Sequence, residues 1–408
     1  PCAIGTNHRL PSDGSDTASI GKGTVTVRVE VAPALLRWAV DRAGWDDETI
    51  QRRAPQFDEW TATTRRPTLK QLETFARQTH TPFGLLFLEH PPVEKLPIPD
   101  MRTIGTRGVA HPSADLLDTI YLCEQRQEWY REHLLRHGTG GPDFIGSAAP
   151  TTAPESIAQH MRALLGFEVH ERGRFHSWSD ARRHLIERIE DLGVLVMISG
   201  IVGANSGRRL DVDEFRGFAL ADPLAPLIFV NGADSLAAQI FTLVHELAHL
   251  WLGESALTDD PPPDGARDPL ERWCNRVAAE TLVPIADIRA ACEGSPETDE
   301  LERLARRYRV STRVVLRRIF EAELLSWTDF QARDEHEQER IAALVNARPR
   351  QSGGDYYRAQ PLRTSRRFTR ALIADALEGT TSFRDAYHLL TVGKHATFAR
   401  LADELGVA

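Results

Sequence analysis

Cysteine is scarce in these 408 residues: Cys2, Cys123, Cys274 and Cys292 are scattered, with no C-x-x-C pair. That excludes a disulfide framework and a cysteine-based zinc site. Lysine is as scarce, limited to Lys22, Lys70, Lys95 and Lys394, so nearly all the positive charge is arginine. The net charge of −9 argues against wholesale coating of nucleic acid. Long apolar runs are missing too. The longest, Leu192 to Ile201, is interrupted by Gly193, Ser199 and Gly200 and reads as a buried strand. It falls well short of the roughly 18 apolar residues that suggest a membrane span. Residues 1–24 are polar and rich in Gly, Ser and Thr, so an unstructured leader rather than a signal peptide is expected there. The cytoplasm is the expected compartment, and no membrane is expected among the partners.

What is present suffices for real cores, at 41% hydrophobic and 26% charged residues. The length calls for several domains. The pattern predicts a multi-domain α+β protein. After the leader, residues 25–92 read as a helical domain, with Leu35, Leu36, Ala39 and Val40 after Pro33. Pro67-Thr68 opens a helix that carries Leu69, Leu72, Phe75 and Ala76. Residues 93–150 read as a proline-punctuated linker and a long helix at 113–136. Residues 151–330 read as α+β, with strands at 194–199, 215–220 and 227–230 and helices at 235–252 and 269–282. Residues 331–408 read as a mainly helical C-terminal domain, entered by a short strand at Tyr356-Tyr357.

The sharpest chemical signal is His245-Glu246-Leu247-Ala248-His249. An i, i+4 spacing puts both imidazoles on one helix face, where they can hold one zinc ion. Glu246, next to the first of them, is placed to act as general base on an attacking water. A third ligand should come from downstream. Glu271 and Glu280 are the candidates, and Glu271 is favoured because Asn275 lies one turn further on. From there Asn275 can accept a proton bond from the distal nitrogen of a ligating histidine. His170, His176 and His184 lack ligand spacing and are expected at the surface.

The stretch from Gly217-Phe218-Ala219-Leu220-Ala221-Asp222 and Pro226-Leu227-Ile228-Phe229-Val230-Asn231 through His245–His249 to Glu271, Asn275 and Pro284 resembles the ImmA/IrrE family of zinc metallopeptidases. The resemblance implies Zn2+ held by His245, His249 and Glu271, with Glu246 as the catalytic base. Thermolysin-like peptidases place Asp where Asn275 stands, which implies a weaker hold on the imidazole. The segment with Leu36-Arg37-Trp38-Ala39, Trp60 and Pro67-Thr68-Leu69-Lys70-Gln71-Leu72 resembles the Cro/repressor-like (Xre-type) helix-turn-helix of long members of that family.

For that domain the DNA-facing candidates are Glu59, Thr61, Thr63, Thr64, Arg65 and Arg66, on a short helix between Ala54 and Thr64. Lys/Arg and Asp/Glu balance at nine each over residues 28–89, so the region is not basic. Arg348, Arg350, Arg358, Arg363, Arg366, Arg367 and Arg370 form the strongest positive cluster, the last four at helical spacing, and read as a solvated face or as a contact for an acidic partner or nucleic acid. The acidic, proline-rich Asp259–Asp268 reads as an exposed loop between the ligand helices. The expected function is a zinc metallo-endopeptidase that regulates a specific protein, a repressor or a toxin, by limited proteolysis coupled to transcription or stress response. The alternative is an antitoxin-like DNA-binding regulator that sequesters a nuclease toxin, its zinc structural or vestigial. Operator DNA and a second copy of the chain are further candidate partners.

Overall fold

Short polar side chains start the N-terminal helices where the sequence places them. Helix α1 (Pro33–Arg42) opens on its proline, and α2 (Asp47–Arg53) on Asp46, whose carboxylate accepts from the Thr49 amide. After the one-turn α3 (Phe57–Thr61), α4 (Leu69–Gln78) opens on a reciprocal capping box between Thr68 and Gln71. Their apolar faces enclose Leu35, Leu36, Ala39, Trp60, Leu72 and Phe75, with Trp60 edge-on to Phe75. This computed structural model describes residues 27–94, 96–99, 112–258, 268–293, 296–347 and 356–407. The chain divides between Val93 and Glu94 into two compact units. The leader, Asp100-Met101-Arg102, residues 259–267 of the acidic loop, Arg348 and Arg350 lie outside the described residues.

The second unit opens with α5 (Ala114–Arg136), α6 (Pro154–Leu165) and α7 (Trp178–Asp191), the first and last capped by Ser113 and Ser177. Strands β1 (Leu195–Ser199), β2 (Gly217–Leu220) and β3 (Leu227–Asn231) lead into α8 (Leu236–Leu252), and β4 (Ala256–Thr258) follows at once. The sheet order is β1-β3-β2-β4, with β1 parallel to β3 and the other pairs antiparallel. Helices α9 (Pro269–Leu282), α10 (Ile285–Ala291), α11 (Thr298–Tyr308), α12 (Thr312–Glu321) and α13 (Trp327–Ala347) come next. The chain ends in α14 (Tyr356–Arg363), α15 (Arg366–Leu377), α16 (Phe383–Leu390) and α17 (His395–Leu405).

The strands are apolar throughout because both sheet faces are covered. Val196, Ile198, Ala219, Ile228 and Val230 enter one core with α6–α12. Their neighbours Leu195, Met197, Phe218, Leu220, Leu227 and Phe229 point the other way, into a core with α5 and α15–α17. Helices α15–α17 thus share a core with the sheet. The mixed architecture, helix-rich around one small sheet, is consistent with the expected α+β class.

Two local expectations need correction. Tyr356-Tyr357 begins α14, not a strand. That helix packs along β1, an edge strand, and covers its open side where a further strand would have paired. The helix expected over Ala54–Thr64 shrinks to α3, which stops at Thr61. Thr63 then takes a left-handed φ of 57°, which turns the chain away from the helix axis.

Arg172, between α6 and α7, is almost wholly buried (1% exposed). Its guanidinium donates to the carbonyls of Phe167, Thr281, Leu282 and Tyr308. One side chain therefore ties the ends of α9 and α11 to the loop after α6.

Candidate metal centre

Helix α8 is apolar nearly all round, so it can only sit inside the unit. Ser235 caps its start by accepting from the Ala238 amide, and Gly253 ends it in a left-handed turn at φ 72°. Within it His245, Glu246 and His249 are buried. Helix α9 starts on Asp268 and Pro269, so Glu271 stands in its first turn. Val244, Leu247 and Ala248 pack in the same core as Cys274, Val277 and Ala278, and this aims Glu271 at the two imidazoles.

The three side chains converge. The Nε2 atoms of His245 and His249 are 3.0 Å apart. Glu271 Oε2 lies 3.3 Å from His245 Nε2, and its Oε1 lies 3.1 Å from His249 Nε2. Ligands about 2.0–2.1 Å from a tetrahedral zinc ion sit about 3.3 Å from one another, so the spacing suits one such ion. Glu246 supports the same fit: both its oxygens are buried and without a hydrogen bond of ordinary geometry. A native interior rarely leaves such a group with nothing to hold.

The electrostatics follow from burial and proximity. Burial pushes Glu246 up to about 8, Glu271 adding to the rise and His245 opposing it. Burial would raise Glu271 as well, but the two imidazoles outweigh it and hold that carboxyl well below its usual range. Burial lowers His249. It works against a charge on His245 too, but there the Glu271 carboxylate prevails and the pKa rises.

Glu280, the rival third ligand, faces elsewhere. It accepts from Arg318, a buried side chain of α12, and from the Ile285 amide. Asn275 lies close enough to His245 to favour its protonated form. Yet neither Asn275 Oδ1 nor His245 Nδ1 completes a hydrogen bond of ordinary geometry.

Two residues that sequence reasoning missed help to build the site. Thr258 ends β4 with its hydroxyl 3.5 Å from His245 Nε2. A three-residue strand leaves no alternation to read. Gly217, paired with Thr258 across β2–β4, lies over Glu246. A Cβ there would meet Thr242 Cγ2 at 2.5 Å, the Phe229 carbonyl oxygen at 2.8 Å and Glu246 Oε1 at 3.0 Å. Only glycine leaves Glu246 its room. Beside His245 lies a cavity of about 100 Å³ lined by Phe241, Thr242, Thr258, Asn275 and Val314.

The DNA-facing candidates do not share a helix face. Glu59 and Thr61 are on α3, whereas Thr63, Thr64, Arg65 and Arg66 lie in the turn after it. Arg65 pairs with Glu59 at 3.1 Å and Arg66 with Glu30 at 2.8 Å. The C-terminal arginines do not form one solvated face either. Arg367 donates to the Tyr130 hydroxyl and to the Glu190 carbonyl, while Arg366 and Arg370 are exposed.

Residues 189–320, from the end of α7 into α12, match the family model described as the IrrE N-terminal-like domain. Residues 364–404 match that of a domain of unknown function (DUF8813). No curated protein matches the chain. The first match makes the region that carries His245, Glu246, His249 and Glu271 similar to a metallopeptidase domain of the zinc-dependent ImmA/IrrE family.

Proposed function

We propose that this chain is a zinc-dependent metallo-endopeptidase that regulates a specific protein, a repressor or a toxin, by limited proteolysis. The observation that carries the reading is the convergence of His245, His249 and Glu271 next to a buried Glu246 with no partner of ordinary geometry. His245 and His249 would hold the ion through Nε2, and Glu271 through its carboxylate. Zinc bound there supplies a Lewis acid for the scissile carbonyl and makes water more acidic. Glu246 takes the proton from the attacking water and returns it to the leaving amine. Gly217 keeps space above Glu246, and Thr258 flanks it on the edge strand β4. The cavity lined by Phe241 and Val314 would take an apolar side chain next to the scissile bond.

A structural zinc site would have no use for a buried base beside the ligands. Glu246→Gln tests this, because it removes the base and leaves the ligand set intact. New protein N-termini should appear in cells making the native chain and be absent with the variant, at equal zinc content. Should the variant retain full biological activity, the antitoxin-like binder with a structural zinc site would replace this reading.

A further inference from the structure

We propose that His133, His137 and Asp375 form a second metal site, which takes a divalent ion of zinc's type and clips α5 to α15. His133 stands in the last turn of α5 and His137, four residues on, caps its C-terminus, with ring centroids 4.2 Å apart. Asp375 reaches them from α15 and is only 2% exposed. One nitrogen of each imidazole and one carboxylate oxygen lie within 4.8 Å of one another.

Four contacts orient the set. His137 Nδ1 is 2.8 Å from the His133 carbonyl, to which it donates, so its lone pair is left on Nε2. Asp375 Oδ1 lies 3.1 Å from His133 Nδ1, close to the spacing of about 3.3 Å between two ligands on one tetrahedral zinc. Arg136 binds the other oxygen, Oδ2, at 2.8 Å and so fixes the carboxylate's direction. Trp129 stacks on His133 at 5.4 Å and donates to the Thr381 hydroxyl, which holds that ring against the C-terminal segment. Imidazole and carboxylate donors together suit zinc and its neighbours better than magnesium or calcium. His137 is exposed, so solvent completes the coordination. The site joins α5 to the segment matched by the domain of unknown function, and it does not depend on the peptidase reading.

The test uses the full chain, stripped with chelator, reloaded with zinc, desalted and assayed for metal. The native protein should hold two zinc ions per chain. His137→Ala, Asp375→Asn and His249→Ala should each hold one, and His137→Ala/His249→Ala none. Cobalt should give two absorption signatures, one of them lost in His137→Ala. One zinc in the native protein, unchanged in His137→Ala, would overturn the proposal. So would a second ion lost in His137→Ala but kept in Asp375→Asn, since an exposed histidine pair would then suffice. Asp375→Asn is scored only where its circular dichroism is native. His137→Ala, at an exposed position, carries the test alone if Asp375→Asn does not fold.

Discussion

The two histidine–carboxylate clusters have the same parts in different surroundings. Each takes two histidines four residues apart and a carboxylate from another helix. In the α8–α9 cluster all three are buried, and Glu271 meets both imidazoles. In the α5–α15 cluster Arg136 already offsets the charge of Asp375, and His137 faces solvent. The first arrangement is costly without an ion, because charge and lone pairs are gathered where water cannot reach them. The second is largely self-sufficient, so an ion there is an addition to a structure that stands without it. Burial, more than ligand identity, separates a site that demands a metal from one that accepts it.

His249→Ala should have the largest effect. It should abolish zinc binding at the α8 site and any proteolysis, and cost about 3 kcal/mol or more by leaving Glu271 buried with one partner fewer. Metal analysis and urea unfolding of the stripped protein would check both. Glu246→Gln should leave the zinc in place while turnover of an identified substrate falls about 10²–10⁴-fold. Its unfolding midpoint should not drop, since a neutral amide is easier to bury than a carboxylate. Gly217→Ala should cost about 1–3 kcal/mol, because the new methyl meets backbone and Glu246 at once. A native-like midpoint would mean that β2 can shift away from α8. Chelator should remove the α5 ion well before the α8 ion, which a zinc-sensitive dye would follow in time. His137→Ala should change the stability of the metal-free protein by no more than about 0.5 kcal/mol, as its exposure dictates.

Much of the α8 site was legible because its signals are local. The i, i+4 histidines, Glu246 and the paired Glu271 and Asn275 need only helical periodicity to be placed. Ser235 and Gly253 mark the helix ends in the sequence itself. What escaped depends on long-range pairing. Thr258 matters because β4 folds back on β2, and Gly217 because β2 crosses above α8. His133 and His137 show ligand spacing on a helix predicted at 113–136, but Asp375 meets them only through packing of the last segment. Tyr356-Tyr357 misled because aromatic β-preference is overridden where a helix covers an open edge. The N-terminal helices were readable from their caps, whereas the short α3 was fixed by the turn at Thr63.

The reach of Arg172 bears on where this protein can be cut. The region similar to the metallopeptidase domain spans 189–320, yet Arg172 lies before it and supplies the donors for carbonyls at the ends of α9 and α11. One face of its sheet is covered by α5 from upstream and by α15–α17 from downstream. A fragment trimmed to the recognisable stretch would expose that face and strand those carbonyls. Likeness and compactness have different borders here: the second compact unit begins at Glu94, and Ile98 already belongs to the core on that sheet face.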